Sequence, residues 1–133
     1  MDVLNEPEAA AMAEVASSDD HPVLMINLNR YTSGAFPDGE LYREWRKVNA
    51  EMIGNVGGRI LWTLPVRGHI LSNGPEEALD EILAYWYPSH QSFLDMRGFE
   101  ITKKNFEIRQ ELVEYAIVHR CNGENPPVLP GSG

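Results

Sequence analysis

Residues 81–98, EILAYWYPSHQSFLDMRG, contain a short strand that is followed directly by a helix. The first seven residues are rich in the aromatic and aliphatic types that favour β-structure. Pro88 and Ser89 end this strand, and Ser89 can cap a helix that runs to Met96 before Gly98 breaks it. Apolar residues occupy both faces of the strand, so both faces of its sheet need a cover.

A second apolar run precedes this segment. Val23–Leu28 is almost entirely apolar and predicts another strand that is buried on both faces. A loop from Arg30 to Pro37 follows, and Asp38 can cap the next helix. One stripe of that helix is apolar and comprises Leu41, Trp45, Val48, Met52, Ile53 and Val56. Gly57-Gly58 ends it.

Two more strands and one more helix complete the pattern. Arg59–Leu71 predicts a strand, but Pro65 donates nothing to a β-ladder, so we expect an edge strand or a bulge there. After Gly98, the segment Glu100–Val113 predicts a helix, and Tyr115–Arg120 predicts the last strand.

The order β-α-β-β-α-β is typical of a ferredoxin-like α+β fold, a four-stranded antiparallel sheet with its helices on one face. The strands are apolar on both sides, and the predicted elements cover only one. We therefore expect a homodimer in which a second copy covers the other face. The predicted domain spans residues 21–121. It lies between a flexible acidic N-terminal extension at residues 1–20 and an extended C-terminal tail at residues 122–133.

The acidic character of the chain belongs to its ends. The formal net charge is −9, with 20 acidic and 11 basic residues. Six acidic residues precede His21, and Glu124 lies in the tail, which leaves the middle of the chain near neutral. No basic stripe is available to contact a phosphate backbone, so we expect no nucleic-acid partner.

The remaining composition points to a cytoplasmic protein. One cysteine, Cys121, cannot form an internal disulfide and suits a reducing compartment. We expect neither a signal peptide nor a membrane partner, since no apolar run approaches the ~20 residues that a membrane span needs. Phosphate-binding loops, dinucleotide glycine patterns and zinc-ligand spacings are also missing from the sequence, which predicts no cofactor and no metal.

These segments resemble the dimeric α+β-barrel superfamily. Within it, residues 22–120 are most similar to the domain-of-unknown-function family numbered 1330. The likeness rests on a helix that runs into Val56-Gly57-Gly58-Arg59, and on Tyr87-Pro88-Ser89 before a helix that contains Phe93. The family often carries an acidic residue before the aromatic-Pro-Ser triplet, where this chain has Trp86. The resemblance implies a fold that serves cofactor-free monooxygenases, cyclases, isomerases, haem-degrading enzymes and proteins that only bind ligands.

Several polar residues could carry chemistry in such a fold. His69, in the second strand, and His90, at a helix N-terminus, are candidate proton acceptors, because an imidazole titrates near neutral pH. Asn27 is an amide within an apolar strand, and Tyr31 opens the loop after that strand. Asn27, Tyr31 or Arg67 could stabilise an oxyanion. The alternative is that each histidine is an ordinary surface or core residue, and that Asn27 holds a bulge or a loop.

Flat aromatic side chains form a second candidate set. Trp62, Tyr85 and Trp86 lie in predicted strands and, with Tyr31 and Arg67, could bind a flat apolar substrate. Aromatic residues in strands also serve simply as core.

Two functions follow from these observations. The first is a small cofactor-independent enzyme of the cyclase, isomerase or monooxygenase type. It would act on a hydrophobic carbonyl-containing or aromatic metabolite in a pocket between sheet and helices. The second is a non-catalytic dimer that binds a metabolite or a partner protein.

Overall fold

The protein is α+β with one four-stranded antiparallel sheet in the order β2-β3-β1-β4, as the sequence predicts. The computed structural model describes residues 5–130. The strands are β1 (Val23–Tyr31), β2 (Arg59–Pro65), β3 (Glu81–Tyr87) and β4 (Val113–Asn122). The helices are α1 (Glu6–Ser18), α2 (Glu40–Gly54), α3 (His90–Asp95) and α4 (Glu100–Leu112). This strand order, with β1 and β3 central, is that of the ferredoxin-like fold.

Alternation along the central strands separates two faces of the sheet. Odd-numbered residues such as Met25, Leu83 and Tyr85 join the core beneath the helices. Trp45 and Ile53 of α2 pack into the same core. Even-numbered residues of these strands therefore lie on the other side, which we call the outer face.

The centre of the outer face is apolar, as the sequence predicts, whereas Arg59 and His119 lie on the same face of the edge strands. Its central part comprises Leu24, Ile26, Leu28, Ile82, Ala84 and Trp86, and the facing residues of the edge strands include Trp62, Leu64, Ile117 and Cys121. A bulge between Ile60 and Trp62 shifts the alternation of β2, so that Ile60 packs in the core while Trp62 lies on the outer face. β2 is an edge strand, as Pro65 indicated.

The second strand is shorter than the predicted Arg59–Leu71. It ends at Pro65, and residues 66–80 form a loop whose neck is closed by a hydrogen bond from the Val66 amide to the Asp80 carbonyl, 2.8 Å. Because proline has no N–H, the ladder stops there rather than continuing past it. Arg67 and His69 are consequently exposed loop residues.

The first strand is longer than predicted. It continues through Tyr31, because β4 pairs with it as far as the Tyr31–Val113 pair. Tyr31 is therefore a buried strand residue and not the first residue of a loop.

The N-terminal segment differs from the expected flexible extension. Asn5 caps α1 through the Glu8 amide, and Met12 is only 4% exposed within the main core. Glu8 also forms an ion pair with Arg120 of β4. Contacts with the folded body, rather than the helix's own weak amphipathic pattern, hold this segment. Residues 1–4 lie outside the described part of the chain.

Truncation of Met12 tests whether α1 is part of the folded unit. We expect Met12→Ala to lower the free energy of unfolding by about 2–5 kcal/mol, because it removes a buried side chain from the core. Glu14→Ala, on the exposed side of the same helix, is the control and should change stability by no more than about 0.5 kcal/mol. Equal, small effects in chemical denaturation would show that α1 is detached in solution.

The C-terminal tail covers part of the outer face, which the sequence did not predict. Residues 123–130 contain neither helix nor strand, and they cross the outer face. The indole N–H of Trp86 donates to the Gly123 carbonyl at 2.8 Å, and that of Trp62 donates to the Pro127 carbonyl at 3.1 Å. The tail therefore covers one end of this face, while Leu64 and Ile117 farther along it remain exposed. Residues 131–133 lie outside the described part.

Candidate functional site

A buried carboxylate lies between the sheet and α2. Glu81, the first residue of β3, is 2% exposed. Its neighbours come from β1 and α2, and together they form what we call the Glu81 cluster: Asn29, Tyr31, Tyr42, Trp45, Arg46 and Glu81. An ionised carboxylate in such a place needs hydrogen-bond donors and a counter-charge.

The cluster provides both. The Tyr31 hydroxyl donates to Oε1 of Glu81 at 2.6 Å, and the Tyr42 hydroxyl lies 2.9 Å from both carboxylate oxygens. Arg46 donates to the Tyr42 oxygen at 2.9 Å and approaches Oε2 of Glu81 at 3.5 Å. A carboxylate, which only accepts, matches this set of donors.

Local geometry explains how the chain places these groups. Asn29 and Tyr31 are two residues apart on β1, so both side chains point to the helix side of the sheet. On β3, Glu81 lies on this same face, together with Tyr85. Tyr42 and Arg46 are one helical turn apart on α2 and face the same strand ends. The register that pairs Asn29 with Glu81 brings the two strands' polar residues together.

The tyrosine hydroxyls are held as donors. Burial raises the pKa of Tyr31 well above its usual range, and the nearby Glu81 charge raises it further. Burial also raises the pKa of Tyr42, to about 12, although the hydrogen bond from Arg46 opposes the shift. Both groups therefore keep their protons at neutral pH and can donate to an anionic partner.

Two buried polar atoms in the cluster have no partner among the described residues. They are Oδ1 of Asn29 and Nε1 of Trp45. Tyr31 is close to both residues, because Asn29 donates to its hydroxyl at 3.2 Å and the Trp45 ring lies 5.9 Å from its ring. An unpaired acceptor and an unpaired donor in residues that both contact one tyrosine make this cluster a candidate binding site.

Aromatic rings enclose the polar centre. Phe36, in the loop before α2, stacks on Tyr31 with ring centroids 5.3 Å apart and meets Tyr42 edge-on at 5.1 Å. The centroid of the Trp45 ring lies 6.0 Å from that of the Tyr42 ring. Arg46, whose side chain is 37% exposed, is the part of the cluster that solvent reaches.

A second polar group continues from this centre towards α4. The Asn49 amide donates to the Tyr85 hydroxyl at 2.7 Å, and its oxygen accepts from Asn105 at 3.2 Å. All three side chains are buried. Burial raises the pKa of Tyr85 far above its usual range, so this hydroxyl also remains protonated.

No family model matches the chain, and no curated protein matches it. Solved structures do. The RPA0582 protein from Rhodopseudomonas palustris, whose function is unknown, matches with a TM-score of 0.73 and 23% identity over 94% of this chain and 97% of its own. Methylated RPA0582 gives 0.71 and 24%, over 98% and 96%. A nipsnap family protein of unknown function from Agrobacterium tumefaciens gives 0.54 and 16%, over 82% and 95%. At these identities the likeness shows a shared small α+β fold.

The sequence-predicted site residues fall into separate places. Tyr31 belongs to the Glu81 cluster, and Tyr85 to the adjoining polar group. Asn27 is buried on the same face, but its amide donates to the Met25 carbonyl of its own strand at 3.3 Å. Trp62 and Trp86 lie on the outer face and bind the tail. These residues therefore do not form one site.

His69 and Arg67 also lie apart from the cluster. His69 Nε2 accepts from the Leu79 amide at 2.9 Å, which ties the two sides of the loop at residues 66–80 together. The prediction that both line a strand beside a pocket depended on a strand through Leu71, and that strand ends at Pro65.

His90 is almost fully buried at the start of α3 and borders a separate cleft of about 520 Å³. Its Nδ1 donates to the His21 carbonyl at 2.8 Å, which leaves Nε2 as the acceptor that faces Arg120 at 3.3 Å. The cleft is lined by His21, His90, Arg120, Cys121, Asn122 and Glu124. It lies at the opposite end of β3 from Glu81, so the two places cannot share one small substrate.

Asp20 joins α1 to this cleft, and its contribution should depend on pH. Burial alone would raise its pKa, but hydrogen bonds from the backbone amides of His90, Gln91 and His21 lower it below the usual value. A carboxyl group whose pKa is lower in the folded protein stabilises the fold at pH values above its unfolded pKa of about 3.9. This stabilisation disappears as the pH falls through the pKa of the folded state.

We therefore expect Asp20→Asn to lower stability at pH 6, because an amide is a weaker acceptor for the first amides of α3. The difference from the unmodified protein should shrink as pH falls through the lowered pKa of Asp20 in the folded protein, because the protonated carboxyl is also neutral. Thermal melts across this range measure it, and a difference that does not depend on pH would contradict the assigned role. Asp19→Asn, at an exposed neighbour, is the control.

Sequence analysis missed Glu81, Tyr42, Arg46 and Asn49. Glu81 opens a strand, where a charged residue is ordinarily solvated. The sequence nevertheless contains a signal. Glu81 is separated by even numbers of residues from Leu83, Tyr85 and Tyr87, so it lies with them on the core side of β3. Asn49 and Asn105 likewise fall beside apolar helix stripes.

Within residues 5–130, no helix has the length and hydropathy to cross a membrane, and no cluster of three or more metal-binding side chains exists.

Proposed function

We propose that this protein is a cofactor-independent enzyme that acts on a small hydrophobic, carbonyl-containing or aromatic metabolite at the Glu81 cluster. The observation that carries the proposal is a buried carboxylate that faces two tyrosine hydroxyls and one arginine, with two unpaired polar atoms beside it. The expected histidine bases are replaced in this proposal by Glu81, since neither His69 nor His90 lies in the cluster.

The reaction class that suits these groups is proton transfer next to a carbonyl. The Glu81 carboxylate takes a proton from the carbon beside the carbonyl, and the electron pair of that C–H bond moves onto the carbonyl oxygen. Arg46 and the Tyr42 hydroxyl stabilise the resulting enolate, because both are donors at neutral pH. Where the enolate is conjugated with a C=C bond, Glu81 returns the proton to the far carbon of that system, which isomerises the substrate. Alternatively, the enolate carbon attacks a second carbonyl and closes a ring, and the alkoxide that forms takes the proton from Glu81.

The surroundings indicate a substrate with a flat apolar body. The rings of Phe36 and Trp45 both pack near the Tyr42 ring. A polar carbonyl would be held at Arg46, near solvent, and the apolar body would replace Phe36 against the Tyr31 ring. Tyr31, which bonds Glu81 directly, is a positioning residue in this scheme.

The proposal can be tested with 2-tetralone, an aromatic ketone with exchangeable protons next to its carbonyl. In D₂O, the protein should accelerate loss of these protons from the ¹H NMR spectrum beyond the buffer rate. Glu81→Gln should remove the acceleration, because an amide does not accept the proton, whereas Glu107→Gln, at an exposed glutamate of α4, should retain it. Equal rates in buffer, protein and Glu81→Gln would contradict the assigned chemistry.

We further propose that the protein is a homodimer that is paired through the outer face, as in the superfamily it resembles. The support is the apolar outer face, on which Leu64 and Ile117 stay exposed beyond the part that the tail covers. Two such faces packed together would bury both.

A non-catalytic role in metabolite binding is the alternative, and one observation favours it. Glu81 is enclosed and fully hydrogen-bonded, which suits a rigid binding site as well as a reacting one. Native mass spectrometry of the purified protein distinguishes the two when it is combined with the exchange assay. A retained small molecule, together with no acceleration of 2-tetralone exchange, would favour binding.

A further inference from the structure

The chain leaves β4 through a turn that directs the tail onto the outer face. The Glu124 amide donates to the Asn122 side chain at 2.8 Å, which forms a local turn. Gly123 packs so closely that an added Cβ would lie 2.4 Å from the Val23 nitrogen. Only glycine fits there, so the direction of the tail is fixed at its first residue.

Two anchors then hold the tail in place. The indole N–H groups of Trp86 and Trp62 donate to the carbonyls of Gly123 and Pro127. The two tryptophans belong to adjacent strands, β3 and β2, and the tail therefore crosses the sheet rather than running along one strand. The guanidinium of Arg59 lies 4.9 Å over the Trp86 ring and holds this anchor in position.

The anchored segment carries apolar residues that its own chain does not bury. Residues 126–130 read PPVLP, and Val128 is 62% exposed even though the carbonyl of Pro127 is pinned. Prolines restrict the backbone, so little conformational entropy is lost when this segment binds a partner. On the same side of the sheet, Leu64 and Ile117 are also exposed.

We propose that residues 123–130 form an arm that packs against a second copy of this chain when that copy docks on the outer face. A partner that covers the exposed apolar residues of this face must also meet the tail that crosses it. In a twofold dimer each arm would contact the other copy, so the same segment contributes twice to one interface. This inference rests on the proposed homodimer, and it adds that the arm determines how tightly the two copies bind.

Sedimentation equilibrium of the full chain and of a chain that stops after Asn122 tests the arm. Truncation should weaken the dimer at least tenfold, and Val128→Ser should weaken it several-fold. Val118→Ser is the matched control, because Val118 is a comparably exposed valine that pairs with Asn27 on the helix side of the sheet. It should leave the dissociation constant within about twofold.

Trp62→Phe combined with Trp86→Phe provides an independent variant in case the shortened chain does not fold. It keeps both aromatic rings and removes both N–H donors, so it should loosen the arm and weaken the dimer while thermal stability changes little. A truncated chain that dimerises as tightly as the full chain, or more tightly, would overturn the arm and leave the tail as a cover for its own sheet. A full chain that is a monomer would instead overturn the proposed homodimer.

Discussion

Replacement of Glu81 by alanine should lower the free energy of unfolding by about 3 kcal/mol or more. The change leaves two buried tyrosine hydroxyls without their acceptor and Arg46 without its counter-charge. Removing one partner of a buried ion pair costs about 3–5 kcal/mol, and the partial exposure of Arg46 places this case near the lower limit.

The matched control is Glu114→Ala. Glu114 also pairs with an arginine, Arg30, at 2.9 Å, but its side chain is 54% exposed. An exposed pair contributes at most about 1 kcal/mol. Urea denaturation of both variants gives the comparison, and similar losses would show that Glu81 is not the buried, organised group described here.

The second large effect concerns the outer face. We expect Ile117→Glu to convert the proposed homodimer into a monomer, with a dimer dissociation constant at least a hundredfold weaker. A glutamate at this position would place an unpaired charge in an apolar contact, and each of the two copies would contribute one. Light scattering coupled to size-exclusion chromatography measures the mass.

Val118→Glu separates this effect from a general loss of stability. Ile117 and Val118 are adjacent in β4 and are 38% and 45% exposed, but they lie on opposite faces of the sheet. The Val118 variant should remain a dimer. If both variants keep the mass of the unmodified protein, the second copy does not bind on the outer face.

The fold could be predicted because its signals are local. The apolar run within Glu81–Tyr87, the Pro88-Ser89 boundary and the Gly57-Gly58 stop depend on neighbours in sequence, and each marks the expected element. The prediction that the second strand continues through Leu71 was wrong. Apolar residues after Pro65 favoured it, but Pro65 has no N–H with which to continue the ladder. The resemblance to the dimeric α+β barrels remains consistent with this fold, while membership of the family numbered 1330 stays a prediction.

The site could not be predicted because its contacts are distant in sequence. Glu81 becomes buried through Tyr42, 39 residues earlier, and nothing near Glu81 signals that contact. Likewise, α1 is tied to the body by Asp20, whose carboxylate accepts from an amide 70 residues later. The histidines were candidates because an imidazole titrates near neutral pH, whereas the titratable group that is buried and hydrogen-bonded in the cluster is the Glu81 carboxylate.

The most direct test of the Glu81 cluster as the binding site is an NMR titration of ¹³Cζ-tyrosine-labelled protein with 2-tetralone. The five tyrosines report on distinct places, since Tyr31 and Tyr42 lie in the cluster, Tyr85 and Tyr87 lie in the core farther along β3, and Tyr115 lies on the outer face. We expect saturable shifts that are largest for Tyr31 and Tyr42 and absent for Tyr115. Shifts at Tyr115 alone, or none at the two cluster tyrosines at saturation, would contradict the account.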